Sequence, residues 1–226
     1  MNITARNISK SYKRKGISGE VQVLCSTDID LESGKICLIN GRSGSGKSTL
    51  LNILSGLLCA SGGTVHYDGT DIYKLSDKEL SLLRCSRTGY IPQVQSAVGT
   101  LTVRENVLLP SAVIGKGKDR FAADGLLERF GLTELADARP DSLSGGELRR
   151  LSIARALVNS PQAIFADEPT NDLDDENSRL VFEQLRKSAD SGAAVVIVSH
   201  DRLAQEYADV VYCMQKGSLN REKGRI

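Results

Sequence analysis

A glycine-rich segment at residues 41–48, GRSGSGKS, has the residue types and spacing of a phosphate-binding loop. It follows the apolar run KICLIN and precedes the helical pattern STLLNIL, which is the strand–loop–helix context that such a loop needs. Its glycines let successive backbone N–H groups face an anion, and the following helix adds the positive end of its dipole. We therefore predict an ATP site formed by Gly41, Arg42, Ser43, Gly44, Ser45, Gly46, Lys47, Ser48 and Thr49.

Two side chains of this loop have specific predicted roles. Lys47 supplies a positive charge for the β and γ phosphates, and Ser48 supplies a hydroxyl ligand for Mg²⁺. Thr49 is included in the site, although we expect it to act mainly as a helix residue. The alternative is an ordinary strand-to-helix turn with a surface lysine, which the two matching flanks disfavour.

Two carboxylates follow another apolar run. Asp167 and Glu168 come directly after AIFA, at the end of a predicted buried strand, where ligands of open α/β sheets bind. We expect Asp167 to hold Mg²⁺ through water and Glu168 to polarise the attacking water, a role worth roughly 10²- to 10⁴-fold in rate. His200 follows AVVIVS at an equivalent strand end, where its imidazole would donate to the γ phosphate. A solvated acidic loop and a structural histidine are the alternatives.

The segment SLSGGELRRLSIARAL, at residues 142–157, suggests a second phosphate site. Ser144 and Glu147 have the spacing of a capping box, which explains both as parts of a helix start. The capping box does not explain Gly145 and Gly146, because a glycine destabilises a helix interior by roughly 1 kcal/mol relative to alanine. An anion close to the backbone N–H groups would give the reason. Since Lys47 is distant in sequence, we predict a head-to-tail pair in which this segment of one copy closes over the ATP of the other.

Predicted strands and helices alternate along the chain, and these elements must position the residues of the site. KICLIN, TGYIP, AIFAD and AVVIVS are predicted strands, and the last two lack polar alternation, as parallel strands covered on both faces do. ITARNISKSY and VQVLCSTDIDLESG indicate antiparallel strands instead, whereas Ser76 and Glu79 predict a capped helix. From about Val94 to Asn159 helical patterns dominate.

The predicted fold class is therefore α/β. It comprises a phosphate-loop NTPase core with a mostly parallel sheet, an antiparallel β subdomain near the N-terminus and an inserted α-helical subdomain. We predict one nucleotide-binding domain over residues 1–226, with residues 1–93 and 160–226 as its core and 94–159 as the helical subdomain.

Composition restricts the class of protein. The net charge of +1 over 226 residues produces no long-range electrostatic field that would attract DNA or an anionic membrane. Five scattered cysteines without a C-x-x-C pair argue against a zinc knuckle or a disulfide framework, and we expect them to be reduced in a cytosolic protein. The apolar run AAVVIV is far shorter than the ~20 residues of a membrane span, so we expect no crossing of a bilayer.

Taken together, these motifs resemble the ATP-binding cassette (ABC) ATPases, in the family's order and over essentially the whole chain. LSGGE at residues 143–147 matches the family signature, and the resemblance implies a dimer with two ATP molecules sandwiched between subunits. It also implies that Asp167 is the carboxylate that orients the metal and that Glu168 is the catalytic carboxylate, with His200 as the switch histidine.

Further residues take roles from the same resemblance. Tyr12 resembles the aromatic residue that stacks on adenine, although it would equally suit an exposed surface. Gln93 in YIPQ resembles the glutamine that senses Mg²⁺ and connects to the membrane partner. The NDLD segment at residues 171–174, which ends in Asp174, lies where the family has its inter-subunit loop.

The stretch DIYKLSDKELSLLRCSRTGYIPQ, with ENVLLP and ADEPT, resembles bacterial cassettes of the lipoprotein-releasing and macrolide-export type. This resemblance implies an integral membrane permease as partner, a location on the inner face of the cell membrane, and no nucleic-acid partner. Related members serve antimicrobial-peptide resistance or cell-wall remodelling. The alternatives are a soluble cassette that acts on ribosomes or DNA, suggested by SHDR at residues 199–202, and a cell-division regulator of the same type.

Overall fold

The computed structural model describes residues 1–13, 19–115 and 120–222. Ten strands and seven α-helices are found in these residues. The strands are β1 (Ile3–Lys13), β2 (Glu20–Leu31), β3 (Ile36–Gly41), β4 (Gly62–Tyr67), β5 (Thr70–Asp71), β6 (Thr88–Ile91), β7 (Ala163–Asp167), β8 (Ala194–Val198), β9 (Val210–Gln215) and β10 (Ser218–Arg221). The helices are α1 (Lys47–Leu54), α2 (Asp77–Arg87), α3 (Val103–Val113), α4 (Arg120–Arg129), α5 (Gly145–Leu157), α6 (Asp175–Asp190) and α7 (Leu203–Tyr207). Single 3₁₀ turns lie at Ile72–Lys74, Thr133–Leu135 and Pro140–Ser142.

The first sheet is antiparallel, with the order β2-β1-β4-β5. Its inward residues, such as Ile3, Ala5 and Val65, are fully buried, whereas their neighbours on the other face are partly exposed. This period-two burial is expected of a sheet that covers a core with one face. The predicted antiparallel subdomain is therefore confirmed.

The second sheet has six strands in the order β10-β9-β3-β8-β7-β6. All of its pairings are parallel except that between β9 and β10. Every residue of β7 and β8 is buried, as their unbroken apolar sequences predicted. Because parallel strands end at the same edge, the segments that follow β3, β7 and β8 lie side by side, and these are the segments that carry the predicted site.

The strands β3, β7 and β8 divide their side chains between two hydrophobic cores. Leu38 and Ile197 contribute to the core that includes α3, α4, α5 and α6. Ile39, Phe165 and Val198 contribute to the other core, with α1 and the antiparallel sheet. Full burial of one such side chain stabilises the fold by roughly 1.5–3 kcal/mol. The predicted α/β fold class is confirmed.

The region between β6 and β7 is helical, and its described residues contain no strand. Its helices α3–α5 share their core with strand residues of the large sheet, so the insertion packs on the sheet. The proposed boundaries at 94 and 159 stay a prediction, and residues 116–119 of this region lie outside the described residues.

Three helices begin with a complete capping box. Ser76 and Glu79 form the predicted one at α2. Thr102 and Glu105 form another at α3, which the pattern T-x-x-E in TVRE also indicates. The third is formed by Ser144 and Glu147 at α5.

All five cysteines are free. None of the described helices has both the length and the apolar character that a bilayer crossing needs.

Candidate nucleotide-binding site

The loop between β3 and α1 has a backbone that only glycine accommodates at two positions. Gly41 has a φ of 144°, and a Cβ there would clash with the carbonyl oxygen of Met214. Gly46 has a φ of 106°, and a Cβ there would lie 2.8 Å from the carbonyl oxygen of Val23. These glycines therefore let the loop turn tightly against its neighbouring strands and start α1 with its N–H groups free for a ligand.

Lys47 is held at the centre of this loop. Its side chain lies in the loop's curve, where Nζ donates to the carbonyl oxygens of Gly41 at 2.8 Å and Arg42 at 3.1 Å. The residue is only 9% exposed. Since an ammonium group has three donors, one remains for an anion bound in the loop. The structure therefore places Lys47 inside the loop, and its role toward the β and γ phosphates stays a prediction.

Asp167 ends β7 beside Ser48, the second residue of α1. Burial raises the pKa of the Asp167 carboxyl group, whereas a hydrogen bond from the Ser48 side chain opposes this change. Oδ1 of Asp167 is buried without a hydrogen-bond partner among the described residues. A buried carboxylate oxygen beside a hydroxyl fits Mg²⁺, which prefers oxygen ligands and takes few of them from the protein when phosphates supply the rest. No cluster of three or more His, Cys, Asp or Glu side chains suited to a metal occurs in the described ranges.

Glu168 follows Asp167 in the left-handed backbone region, with a φ of 46°. Its N–H donates to the carbonyl oxygen of Val198 at 2.8 Å, which ties the turn to the neighbouring strand β8. Ser199 Oγ donates to Oε2 at 3.2 Å, and Nδ1 of His200 lies 3.0 Å from Oε1. The carboxylate is thus oriented by two side chains that follow β8, while the His200 side chain itself is 74% exposed.

These residues line one cavity of about 530 Å³. This volume lies within the range of small-molecule sites. The lining comprises the predicted residues Gly41, Arg42, Ser43, Gly44, Gly46, Lys47, Ser48, Thr49, Gln93, Asp167, Glu168 and His200, together with Val23 and Asn171. The structure therefore brings together three strand ends that are far apart in sequence.

Several residues of the predicted site lie outside this lining, among them Ser45 and Tyr12. Ser45 is buried in the turn of the loop, where its N–H donates to the carbonyl oxygen of Arg42 at 3.2 Å. Tyr12 lies on β1 and is 42% exposed, with Nζ of Lys10 5.2 Å from the centre of its ring. A role for Tyr12 in adenine stacking stays a prediction.

The LSGGE segment also lies outside this cavity. Ser144 caps α5, and its Oγ and the Glu147 carboxylate form the predicted capping box. A Cβ on Gly145 or Gly146 would meet no described atom closer than 3.5 Å, and neither glycine has a positive φ. Packing within one chain therefore does not require glycine at either position, and at the helix start Gly145 is exposed and Gly146 half-buried.

Asp174, the last residue of NDLD, has a local structural role. Its Oδ1 accepts a hydrogen bond from the N–H of Asn177 at 2.8 Å and thereby caps α6. That backbone hydrogen bond, assisted by one from the Asn177 side chain, lowers the pKa of the Asp174 carboxyl group. Asp175 and Glu176 follow in the first turn of the helix, as expected. Contact of Asp174 with a second subunit stays a prediction.

Three contributors to the site were not predicted. Val23 reaches the cavity from β2, and no sequence pattern near it indicates this. Ser199 directly follows the strand AVVIV and precedes His200, so its position beside Glu168 was open to prediction from the same strand-end rule. Arg149 on α5 donates to the backbone carbonyl oxygen of Gln93 at 2.6 Å although it lies outside the cavity lining.

Comparison with known proteins adds an independent finding. The family model described as "ABC transporter" matches residues 24–171, which is more than half of the chain. The matched range includes the phosphate loop, the LSGGE segment and the two strand-end carboxylates.

Two curated relatives and one solved structure illustrate the similarity. The macrolide export ATP-binding/permease protein MacB of Neisseria gonorrhoeae is 42% identical over 203 residues, covering 88% of this chain and 31% of the relative. The chain thus spans about a third of the length of MacB. The lipoprotein-releasing system ATP-binding protein LolD of Blochmanniella floridana is 38% identical over 220 residues, covering 94% and 91%. The dimeric post-hydrolysis structure of the ATP-binding cassette MJ0796, bound to ADP and Pi, superposes with a TM-score of 0.92 at 32% identity, covering 99% of each chain.

Proposed function

The chain belongs to the ABC transporter family, and from this premise we propose that it is the ATP-binding and ATP-hydrolysing subunit of a bacterial transporter. The observation that carries the proposal is the single cavity in which Lys47, Ser48, Asp167, Glu168 and His200 converge. A phosphate loop alone would support nucleotide binding. The oriented carboxylate of Glu168 beside it supports hydrolysis as well.

Each side chain of the cavity has a defined part in the proposed hydrolysis of ATP to ADP and phosphate. The loop N–H groups and Lys47 bind the phosphate chain. Ser48, Asp167 and Gln93 would hold Mg²⁺, which would neutralise charge on the β and γ phosphates. Glu168 accepts a hydrogen bond from the attacking water and orients it toward the γ phosphate.

His200 positions the catalytic carboxylate. Its Nδ1 faces Glu168, and the rest of its exposed ring is free to reach a γ phosphate in the cavity. If Nδ1 is the donor to Glu168, the carboxylate stays an acceptor for the water. Ser199 holds the other carboxylate oxygen, so Glu168 is fixed from two directions.

The working assembly in this proposal is a head-to-tail dimer that sandwiches two ATP molecules. Gly145 and Gly146 have no packing reason within one chain, and their N–H groups start a helix whose dipole favours an anion. The solved cassette that superposes on this chain is dimeric, which supports a dimer as the working assembly. ATP binding would then close the dimer, and loss of the γ phosphate would reopen it.

A membrane permease is the proposed partner. A groove of about 360 Å³ lies where the end of α1, β6, α3 and α5 meet, and Leu57 and Val113 at its edge are 52% and 64% exposed. Leu82 and Val94 are also exposed. A short amphipathic helix of a permease would cover such apolar side chains. We place the chain in the cytoplasm on the inner face of the membrane, attached through this partner.

Recovery of partners from native membranes tests this proposal against a ribosome- or DNA-associated cassette. The tagged chain should co-purify with an integral membrane protein, and Leu57→Asp with Val113→Asp should abolish that recovery without reducing ATP hydrolysis. Recovery of ribosomes or DNA without a membrane protein would contradict the transport role.

A further inference from the structure

A separate cavity of about 430 Å³ lies at the opposite edge of the large sheet from the candidate nucleotide site. It is lined by α4, by the ends of α5 and α6, and by the segments that lead into β7 and β8. The nucleotide cavity lies at the other ends of these two five-residue strands, about 17 Å away along the extended chain. The two cavities share no lining residue, and a volume of this size suits a small molecule.

Gln184 on α6 is a buried residue whose side-chain amide has no partner. The residue is 6% exposed and lines the cavity, on the same face of α6 as Lys187, Ser188 and Ser191. Its backbone carbonyl accepts from Ser188 Oγ at 3.0 Å, but no group in the described ranges hydrogen-bonds to its side-chain amide.

The Gln184 amide is also not sealed inside the protein. Neither of its polar atoms is among the fully enclosed side-chain atoms that lack a partner. Because the residue is otherwise buried, the accessible part of the amide faces the cavity. An unpaired amide at a buried position is unfavourable, so the cavity is suited to a ligand that supplies the missing hydrogen bond.

Two cations add positive charge to this cavity. Arg129 lies in the last turn of α4 and Lys187 in the last turn of α6, and among the described residues they are the only charged side chains of the lining. Neither forms an ion pair within the part of the chain that the structure describes. The neighbouring acidic residues Glu128, Glu183 and Asp190 are exposed and do not line the cavity.

Interaction with the helix dipoles is the alternative reason for both cations. At the end of α6, however, the carbonyl oxygens of Lys187 and Ala189 already accept hydrogen bonds from the N–H groups of Ser191 and Gly192. The carbonyl oxygen of Leu157, which ends α5, accepts from the N–H of Ser160. The cations are therefore not needed to satisfy these helix ends, and their charge is available to an anion.

The rest of the lining is largely apolar. Leu126, Leu157 and Val158 extend from the hydrophobic core to the cavity. Phe121, on the first turn of α4, lines the same cavity and is 92% exposed. An apolar group bound here would cover the phenyl ring, which supplies a large contact area.

We propose that this cavity binds a small amphipathic carboxylate, in which one singly charged carboxylate is attached to an apolar chain. The Gln184 amide donates to the carboxylate, Arg129 and Lys187 balance its charge, and the chain packs on the apolar side chains of the lining. A phosphate dianion fits less well, because α5 and α6 present the negative ends of their dipoles here. The inference goes beyond the proposed function and does not depend on it.

Titration of the ¹⁵N-labelled full chain with sodium octanoate, kept below its micelle concentration, tests the site by amide NMR. The amide signals of Gly125 and Gly192, which line the cavity, should shift saturably, whereas that of Gly44 in the phosphate loop should not. A titration without saturable shifts, or with shifts confined to the phosphate loop, would overturn the proposal.

Two further probes separate the parts of the ligand. Acetate has the carboxylate without the chain, and octylamine has the chain with the opposite charge. Each should bind at least about tenfold more weakly than octanoate, because it loses either the apolar burial or the favourable charge interaction. Octylamine binding as tight as that of octanoate would contradict a site for anions.

Gln184→Leu removes the amide and keeps a side chain of similar size. It should weaken octanoate binding at least about tenfold, which corresponds to the loss of one hydrogen bond to a charged group. Its affinity for a fluorescent ATP analogue should stay within about twofold of the parent value, because Gln184 lies outside the nucleotide cavity. Unchanged octanoate binding would exclude the amide as a ligand-binding group and overturn the proposal.

Lys187→Gln removes a charge at an exposed position, so it carries the test even if Gln184→Leu does not fold. It should weaken octanoate binding by about two- to fivefold. Lys78→Gln, on the exposed surface of α2 and outside the cavity, is the matched control and should bind octanoate as the parent does. Equal affinities of the two variants would contradict the charge role of Lys187.

The two proposals fail in different ways. A parent chain that binds ATP but not octanoate would overturn this inference alone. A parent chain that binds octanoate but not ATP would overturn only the proposed function.

Discussion

Glu168 and His200 meet across the ends of the adjacent strands β7 and β8, with Nδ1 3.0 Å from Oε1. The two residues are 32 positions apart, yet the parallel pairing of Asp167 with Val198 fixes their approach. Glu168 is 8% exposed, whereas the His200 side chain is largely exposed. Glu168, the proposed base, is thus held in the structure while His200 faces the cavity.

His200→Ala should reduce the kcat of ATP hydrolysis by roughly 10- to 100-fold, because Glu168 loses one of its two orienting contacts. The affinity for ATP should change little, since the proposed phosphate contacts are made by the loop and Lys47. Steady-state kinetics with a direct measurement of nucleotide binding checks this separation. An unchanged kcat would exclude the orienting role.

Lys47→Ala should lower the affinity for ATP by about 10- to 100-fold, the value of one charge-assisted hydrogen bond to phosphate. Titration with a fluorescent ATP analogue measures the change. Lys74→Ala, at a side chain that is 84% exposed and outside the cavity, is the control and should bind as the wild type does. Equal affinities of the two variants would contradict the phosphate role of Lys47.

Ser144→Arg should block dimer closure without preventing ATP binding by the monomer, because the added side chain would occupy the start of α5. Ser76→Arg is a matched control, since Ser76 caps α2 with the same capping box and lies outside the proposed interface. Light scattering with ATP and Mg²⁺ in the Glu168→Gln background compares them. A dimer formed by Ser144→Arg would contradict a site completed by a second copy.

The environment of Asp209 predicts that the stability of the fold depends on pH. Burial alone would raise the pKa of its carboxyl group, but hydrogen bonds from the Ile36 N–H and Arg186, together with the charges of Arg186 and Lys35, lower it below the ordinary 3.8. The stabilisation is therefore present above pH 3.8 and is lost as the pH falls through the folded-state pKa.

Asp209→Asn should accordingly reduce the free energy of unfolding at pH 7 by about 1–2 kcal/mol. Urea denaturation of the variant and the wild type at pH 7 and at pH 3 measures the difference in their free energies of unfolding, which should be smaller at pH 3. Asp190→Asn is the control, because Asp190 contacts Arg186 from a side chain that is 63% exposed. A loss for Asp209→Asn that is independent of pH would exclude the ionised carboxylate as its cause.

Local patterns were sufficient to predict most of this structure. The unbroken apolar runs AIFAD and AVVIV predicted buried parallel strands, and the strand-end rule then placed Asp167, Glu168 and His200 at one edge. The capping boxes of α2 and α5 followed from single pairs of residues. These features depend on neighbours within a few positions or on a general property of parallel sheets.

The remaining features depend on contacts between distant segments. Arg149 follows a capped helix start and is adjacent to Arg150, so its sequence context suggests a solvated charge, yet it is fully buried against Pro92 and Gln93. Val23 reaches the cavity only because β2 packs beside the phosphate loop. Neither position has a periodicity or motif that indicates its partner.

The mass of Glu168→Gln in the presence of ATP and Mg²⁺ tests most directly whether a second copy completes the site. The variant keeps the binding residues and loses the base, so the closed state should accumulate, and the mass should rise from 24.4 kDa to about twice that value. Glu183→Gln, on the exposed face of α6, should hydrolyse ATP and not accumulate the dimer. A Glu168→Gln chain that binds ATP and stays at the mass of one copy would contradict the account.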